Sequence, residues 1–196
     1  MNIRPDYAAI AKWVPQQSNI LDLGCGDGTL LKLLEEKCQA SGYGVEIDDA
    51  NVLACLRNNV NVIQMNLETG LAGFEAQSFD YVILSLTLQA VRHTELMLRE
   101  IVRVGKQGIV TFPNFGYWNH RWQIARGRMP VSDDLPYQWF DTPNIHLCTL
   151  ADFEDLCKAC GIRVLERLVL SEGKPVNALP NLRGQLAVYR FEAASK

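Results

Sequence analysis

The ten residues NILDLGCGDG (19–28), running into TLLKLL (29–34), constrain the fold more than any other part of the chain. The apolar run 20–23 predicts a buried strand, and Leu30, Leu31, Leu33 and Leu34 recur at helical spacing after it. Between them lie Gly24, Gly26 and Gly28, at every second position. Strand, glycine turn and helix bring backbone close to a ligand, because glycine has no Cβ to hold it off. The unpaired N–H groups of a helix start favour an anionic ligand group.

The acids in this stretch select the ligand. A dinucleotide G-x-G-x-x-G turn needs glycine at 29, where this chain has Thr29. Asp22 in the strand and Asp27 in the turn would repel a pyrophosphate but attract an ammonium group. A zwitterion fits, with its carboxylate toward the helix start and its amine toward an acid. The methionine end of S-adenosylmethionine (SAM) is such a group. The string DLGCGDG (22–28) resembles motif I of the class I SAM-dependent methyltransferases. That resemblance implies that Gly24, Gly26 and Gly28 line the methionine part of the cofactor, as SAM or S-adenosylhomocysteine.

The rest of the chain supports this architecture. Residues 4–13 predict a leading helix with Pro5 in its first turn and Tyr7, Ile10, Ala11 and Trp13 inward, stopped by Pro15. A second strand over 43–47 ends in Glu46 and Asp48. An acid at that tip is placed to accept bonds from both ribose hydroxyls of an adenosine, whether in NAD or SAM. A helix over 49–58 and a third strand over 60–64 follow. The resemblance assigns Asn66, after that strand, to the adenine amine. Residues 67–78 show little periodicity, so a third crossover helix is expected to be short or absent. FDYVILS (79–85) is a fourth strand, 93–104 a helix, and 108–112 a fifth strand.

Alternating strands and helices predict an α/β fold, a Rossmann-like doubly wound and mainly parallel sheet. The final helix opens at Thr149 with Asp152 in a capping box. Residues 162–170 and 184–191 complete seven strands as an antiparallel edge pair. This is the sheet of the class I SAM-dependent methyltransferase type, with an inserted segment after strand five.

That segment, 113–147, has no regular pattern over a length uncommon for a plain loop. It holds Trp118, Trp122 and Trp139 with Phe115, Tyr117, Tyr137 and Phe140, and the basic group His120, Arg121, Arg126 and Arg128. Residues 116–127 are compatible with a helix. The segment reads as a substrate lid, a partner surface or extra core, and aromatics beside arginines favour the partner surface.

At 196 residues, with 48% hydrophobic and 21% charged residues, the chain reads as one soluble domain over 1–196. A net charge of −3 gives no general attraction to nucleic acid or to anionic membrane. Six cysteines without a disulfide-framework spacing point to a reducing cytoplasm.

FPNFG (112–116), RGRMPV (126–131), LPYQWFDTPNIHLCT (135–149) and DFEDLC (152–157) together look like the MetW family of methionine-biosynthesis proteins. The resemblance implies a methyltransferase-like fold acting beside homoserine O-acyltransferase, of the acetyl or succinyl type. It implies cofactor contacts from Asp22, Gly24, Cys25, Gly26, Asp27, Gly28, Glu46, Ile47, Asn66, Leu67 and Ser85. The competing reading is a methyltransferase of a small molecule bound under the inserted segment. Ser85-Leu-Thr-Leu is not the N-P-P-Y type that grips an amine. His93, Asp80 and Tyr117 each read as structural, so no catalytic residue is assigned. Cys157 and Cys160, with His146 and Cys148, have zinc-ligand types, but their spacing suits the apolar face of a helix better, and no metal is expected.

Overall fold

In the computed structural model, which describes residues 4–194, eight strands form one sheet in the order β3-β2-β1-β4-β5-β8-β6-β7. The strands are β1 (Asn19–Leu23), β2 (Ser41–Glu46), β3 (Val62–Gln64), β4 (Phe79–Ser85), β5 (Gly105–Pro113), β6 (Ile162–Ser171), β7 (Lys174–Pro175) and β8 (Leu186–Ala193). The first five run parallel, with register pairs such as Leu21–Tyr43 and Ile83–Ile109. β8 lies antiparallel to β5 and to β6. The eighth strand, β7, is a two-residue hairpin on β6 that the sequence pattern did not signal.

Helices cover both faces. On one, α1 (Pro5–Trp13), α2 (Thr29–Cys38) and α3 (Asp49–Arg57) bury Ile10, Leu30, Leu34 and Cys55 against Ile20, Ile83 and Ile109. On the other, α4 (Thr94–Val104) and α6 (Leu150–Ala159) bury Leu98, Ile101 and Phe153 against Leu21, Val82 and Val110. The near-continuous apolar runs of β1 and β4 follow from being covered twice. Phe112, Phe153 and Tyr189 stack at the centre of the second face, and the Tyr189 hydroxyl donates to Glu154 at 2.9 Å.

No regular crossover helix links β3 to β4. Residues 67–78 supply only a 3-10 turn, Leu67–Thr69. Tyr43 and Ile63, in register with the buried Leu21 and Val45, are therefore exposed on the α4 side of the sheet. After β5 the chain makes α5 (Trp118–Ala125), a short α7 (Pro180–Arg183) follows β7, and 126–147 is largely irregular. Among the described residues, no helix is long and apolar enough to cross a membrane.

The capping box forms as expected. The Thr149 hydroxyl oxygen accepts from Asp152 N–H, and the Asp152 carboxylate accepts from Thr149 N–H at 2.9 Å. Thr149→Ala should lower stability by about 1 kcal/mol. The change is read as a lower urea midpoint with an unchanged denaturant slope.

Candidate functional site

The carboxyl ends of the parallel strands share one edge, and the sheet order reverses between β1 and β4. In doubly wound sheets the crevice at that switch point is where ligands bind. Here it is walled by the glycine turn after β1, the tip of β2, the turn after β3 and the loop after β4.

The glycine turn is held from below by β2. Gly24 and Cys25 N–H both donate to Val45 O, and Gly26 N–H donates to Glu46 Oε2 at 2.8 Å. Gly24 has a φ of +68°, and a Cβ there would lie 2.7 Å from Thr87 Oγ1, so the loop after β4 closes directly on it. Gly26 has a φ of +56° and open space where a Cβ would project. The turn thus presents bare backbone to the crevice.

Two buried carboxylates flank that turn. Glu46 accepts from Gly26 on Oε2 and from the N–H groups of Ile47 (2.8 Å) and Asp48 (3.0 Å) on Oε1. A carboxylate has about four acceptor positions, so one is left, on Oε2. Asp22 is 2% exposed, and its Oδ1 has no hydrogen-bond partner. Burial raises its pKa to about 7, against the opposing charge of Arg4 and with the help of Glu46 and Asp6. A buried oxygen without a donor is rare in native proteins and marks a place for a cationic or N–H partner.

Asp27 is arranged differently from the sequence expectation of a free helix start. Its Oδ1 accepts from Thr29 N–H at 3.0 Å and from the Thr29 hydroxyl at 2.6 Å, so one of those amides is already satisfied. The Cys25 thiol points toward Cys55, with 3.8 Å between sulfurs, and burial pushes both thiols up. Ile47 is exposed at the tip of β2, and Leu67 is half-buried after β3. Asn66 is exposed, and its Oδ1 accepts from Glu68 N–H at 3.0 Å. Its amide N–H groups and one lone pair remain for a ligand.

Ser85 is drawn into a network that the sequence did not reveal. The carboxylate of Asp6, fully buried on α1, accepts from the Ser85 hydroxyl (2.9 Å), the Thr111 hydroxyl (3.2 Å) and the guanidinium of Arg4. Arg4 also donates to Ser85 Oγ and Tyr7 Oη, and lies 4.2 Å from the centre of the Tyr7 ring. Burial raises the Tyr7 phenol to about 12. Arg4 therefore brings a positive charge to the carboxyl end of β4. The sequence signal for this network was Asp6 in the first turn of α1, two residues after Arg4 at the N-cap.

Asp80 accepts from Asn19 N–H and pairs with Lys106, and these two interactions hold its pKa low. His93 stands at the N-cap position of α4 and Tyr117 at that of α5, beside Trp118 and His120, neither making a side-chain capping bond among the described residues. Cys157 and Cys160 are buried in the apolar core beside Phe153.

Comparison with known proteins places this architecture. The family model described as methionine biosynthesis protein MetW matches residues 4–191. The chain belongs to the MetW family. A relative from Rhodopirellula baltica, the bifunctional methionine biosynthesis protein MetXA/MetW, is 33% identical over an aligned span of 210 residues. That match covers 100% of this chain and 34% of the relative, so the chain spans about a third of that protein's length.

The MetW fold is shared with solved SAM-dependent methyltransferases. One from Mesorhizobium loti superposes with a TM-score of 0.71 at 15% identity, covering 96% of this chain and 97% of that one. One from Archaeoglobus fulgidus gives 0.70 at 15% identity, with coverages of 95% and 92%. A TehB-like enzyme from Corynebacterium glutamicum gives 0.66 at 15% identity, with coverages of 98% and 89%.

The raised pKa of Asp22 sets a pH dependence. The native state holds this proton up to about pH 7, whereas an unfolded aspartate releases it near pH 4. The unfolded state thus binds fewer protons between these values, and this group's contribution to stability falls as pH rises through the window. Asp22→Asn should remove that loss. The wild type should become progressively less stable than the variant from pH 4 to 7, by at most about 4 kcal/mol, measured by urea unfolding.

Proposed function

We propose that this MetW protein binds SAM in the crevice over the glycine turn and serves as an accessory partner of homoserine O-acyltransferase in methionine biosynthesis. The observation that carries the cofactor reading is the unpaired, buried Asp22 Oδ1 beside a turn of bare backbone. The α-ammonium of SAM supplies the N–H donors and positive charge that this oxygen lacks. Its carboxylate falls to Arg4 rather than to the α2 start, where Asp27 already holds the Thr29 amide. Glu46 takes a ribose hydroxyl on its remaining acceptor position. The exposed Ile47 and half-buried Leu67 pack on the adenine, and Asn66 meets its polar edge.

The accessory reading rests on two supports. The relative's name joins MetXA and MetW in one chain, and a fused relative keeps two activities at high effective concentration. At the carboxyl ends of β4 and β5, the hydroxyls of Ser85 and Thr111 are bonded to Asp6. Both hydroxyls are thereby engaged within the fold.

The enzyme reading shares the same cradle, because a bound sulfonium carries an electrophilic methyl group whose transfer depends largely on positioning. Turnover of labelled SAM with cell metabolites separates the two readings. Calorimetric titration with SAM and S-adenosylhomocysteine should give micromolar binding. Gly26→Arg should abolish it, since the side chain fills the open space at that position. Absence of binding to the wild type would leave only a scaffold role. Association with the acyltransferase of the same genome, measured with the two purified proteins, tests the partner half separately.

A further inference from the structure

The segment after β5 is turned inside out relative to the rest of the chain. Three of its polar side chains act as pins. Asn114, fully buried, donates to Asn181 O and Gly184 O and accepts from Gly116 N–H. His120, 1% exposed, bonds to the Ser132 hydroxyl at 3.0 Å. The Gln123 amide pairs with the backbone of Val131 in both directions. The far end is tied down where Ile145 and His146 N–H donate to Gln89 O.

Its large apolar residues face outward. Trp118 and Trp122, one turn apart on α5, are 51% and 56% exposed, and Trp139 and Phe140 are 72% and 70% exposed. A cleft of roughly 570 Å³ between Arg128, Met129 and Trp139 links the end of α5 to the Trp139 side. Rings covering a bound small molecule would be turned inward, and these are not. A fixed backbone with tryptophans displayed on it is pre-organised for association, which lowers the entropy lost on binding.

Charge selects the occupant. Residues 106–132 contain no Asp or Glu, on a chain of net charge −3, and the next acids, Asp133 and Asp134, line a separate cleft with Pro5 and Glu172. Arg121, Arg126 and Arg128 are exposed, none forms an ion pair among the described residues, and Arg126 lies 6.0 Å from the centre of the Trp122 ring. A local basic patch on an acidic protein calls for an acidic counterpart. Its mixture of tryptophan, methionine and arginine is that of interface anchors.

We propose that α5 and residues 126–132, with Trp139 across the cleft, form a docking face for a protein surface bearing carboxylates around an apolar centre. This rests on the accessory reading, in which that surface belongs to homoserine O-acyltransferase.

The test measures binding of the purified full-length chain to the purified acyltransferase of the same genome, for wild type, Trp122→Ala/Trp139→Ala and Arg126→Glu/Arg128→Glu. Circular dichroism and SAM titration check that each variant is folded. Each double variant should weaken binding by about 30-fold or more. Wild-type affinity should fall with added salt, whereas that of the charge-reversed Arg126→Glu/Arg128→Glu should not. Folded variants that bind as tightly as wild type would overturn the docking face and leave the accessory reading intact. A wild type that does not bind the acyltransferase would overturn both. A wild-type dimer made monomeric by Trp122→Ala/Trp139→Ala, or arginine-dependent binding of single-stranded RNA in place of the acyltransferase, would also overturn the proposal.

Discussion

The carboxylate of Glu46 fastens the crevice together. By accepting N–H groups from Gly26, Ile47 and Asp48, it locks the turn after β1 to the tip of β2. With Glu46 satisfied, the glycine turn keeps the positive φ values that expose its backbone, and α2 starts in a fixed direction. A buried carboxylate without partners is costly, and three N–H donors satisfy this one.

Asp22 is the contrast. It sits about as deep as Glu46 but has one oxygen without a donor, and burial holds its proton on to near neutral pH. Two acids on adjacent parallel strands are therefore placed differently, one fastening the turn and the other with an oxygen unsatisfied. The same edge carries Arg4, held by the buried Asp6 against Ser85. The acids Asp6, Asp22 and Glu46 share one short stretch of sheet edge with a single guanidinium. A ligand that brings its own positive charge relieves that imbalance.

Much of this was legible in the sequence because period and punctuation agreed. The run 20–23, the glycines and the leucines of α2 gave strand, turn and helix, and Thr149 with Asp152 gave the start of α6. The missing third crossover helix followed from the lack of periodicity in 67–78. What escaped depends on contacts distant in sequence. Nothing local to Asp6 signals that it meets Ser85 and Thr111, residues 79 and 105 positions away. Nor did the sequence show that Asp27 Oδ1 accepts from the Thr29 amide and hydroxyl at the helix start. The aromatic segment showed its composition but not its direction, which is decided by the buried pins at Asn114 and His120.

The most direct test of the Asp22 account is proton release on cofactor binding. At pH 6 the Asp22 carboxyl of the free protein is mainly protonated, and pairing with an ammonium should drive that proton off. Calorimetric titration of SAM in buffers of different ionisation enthalpy should show release of close to one proton by the wild type and none by Asp22→Asn. Binding without proton release, or equal release by the variant, would contradict the pairing of Asp22 with the ligand's ammonium.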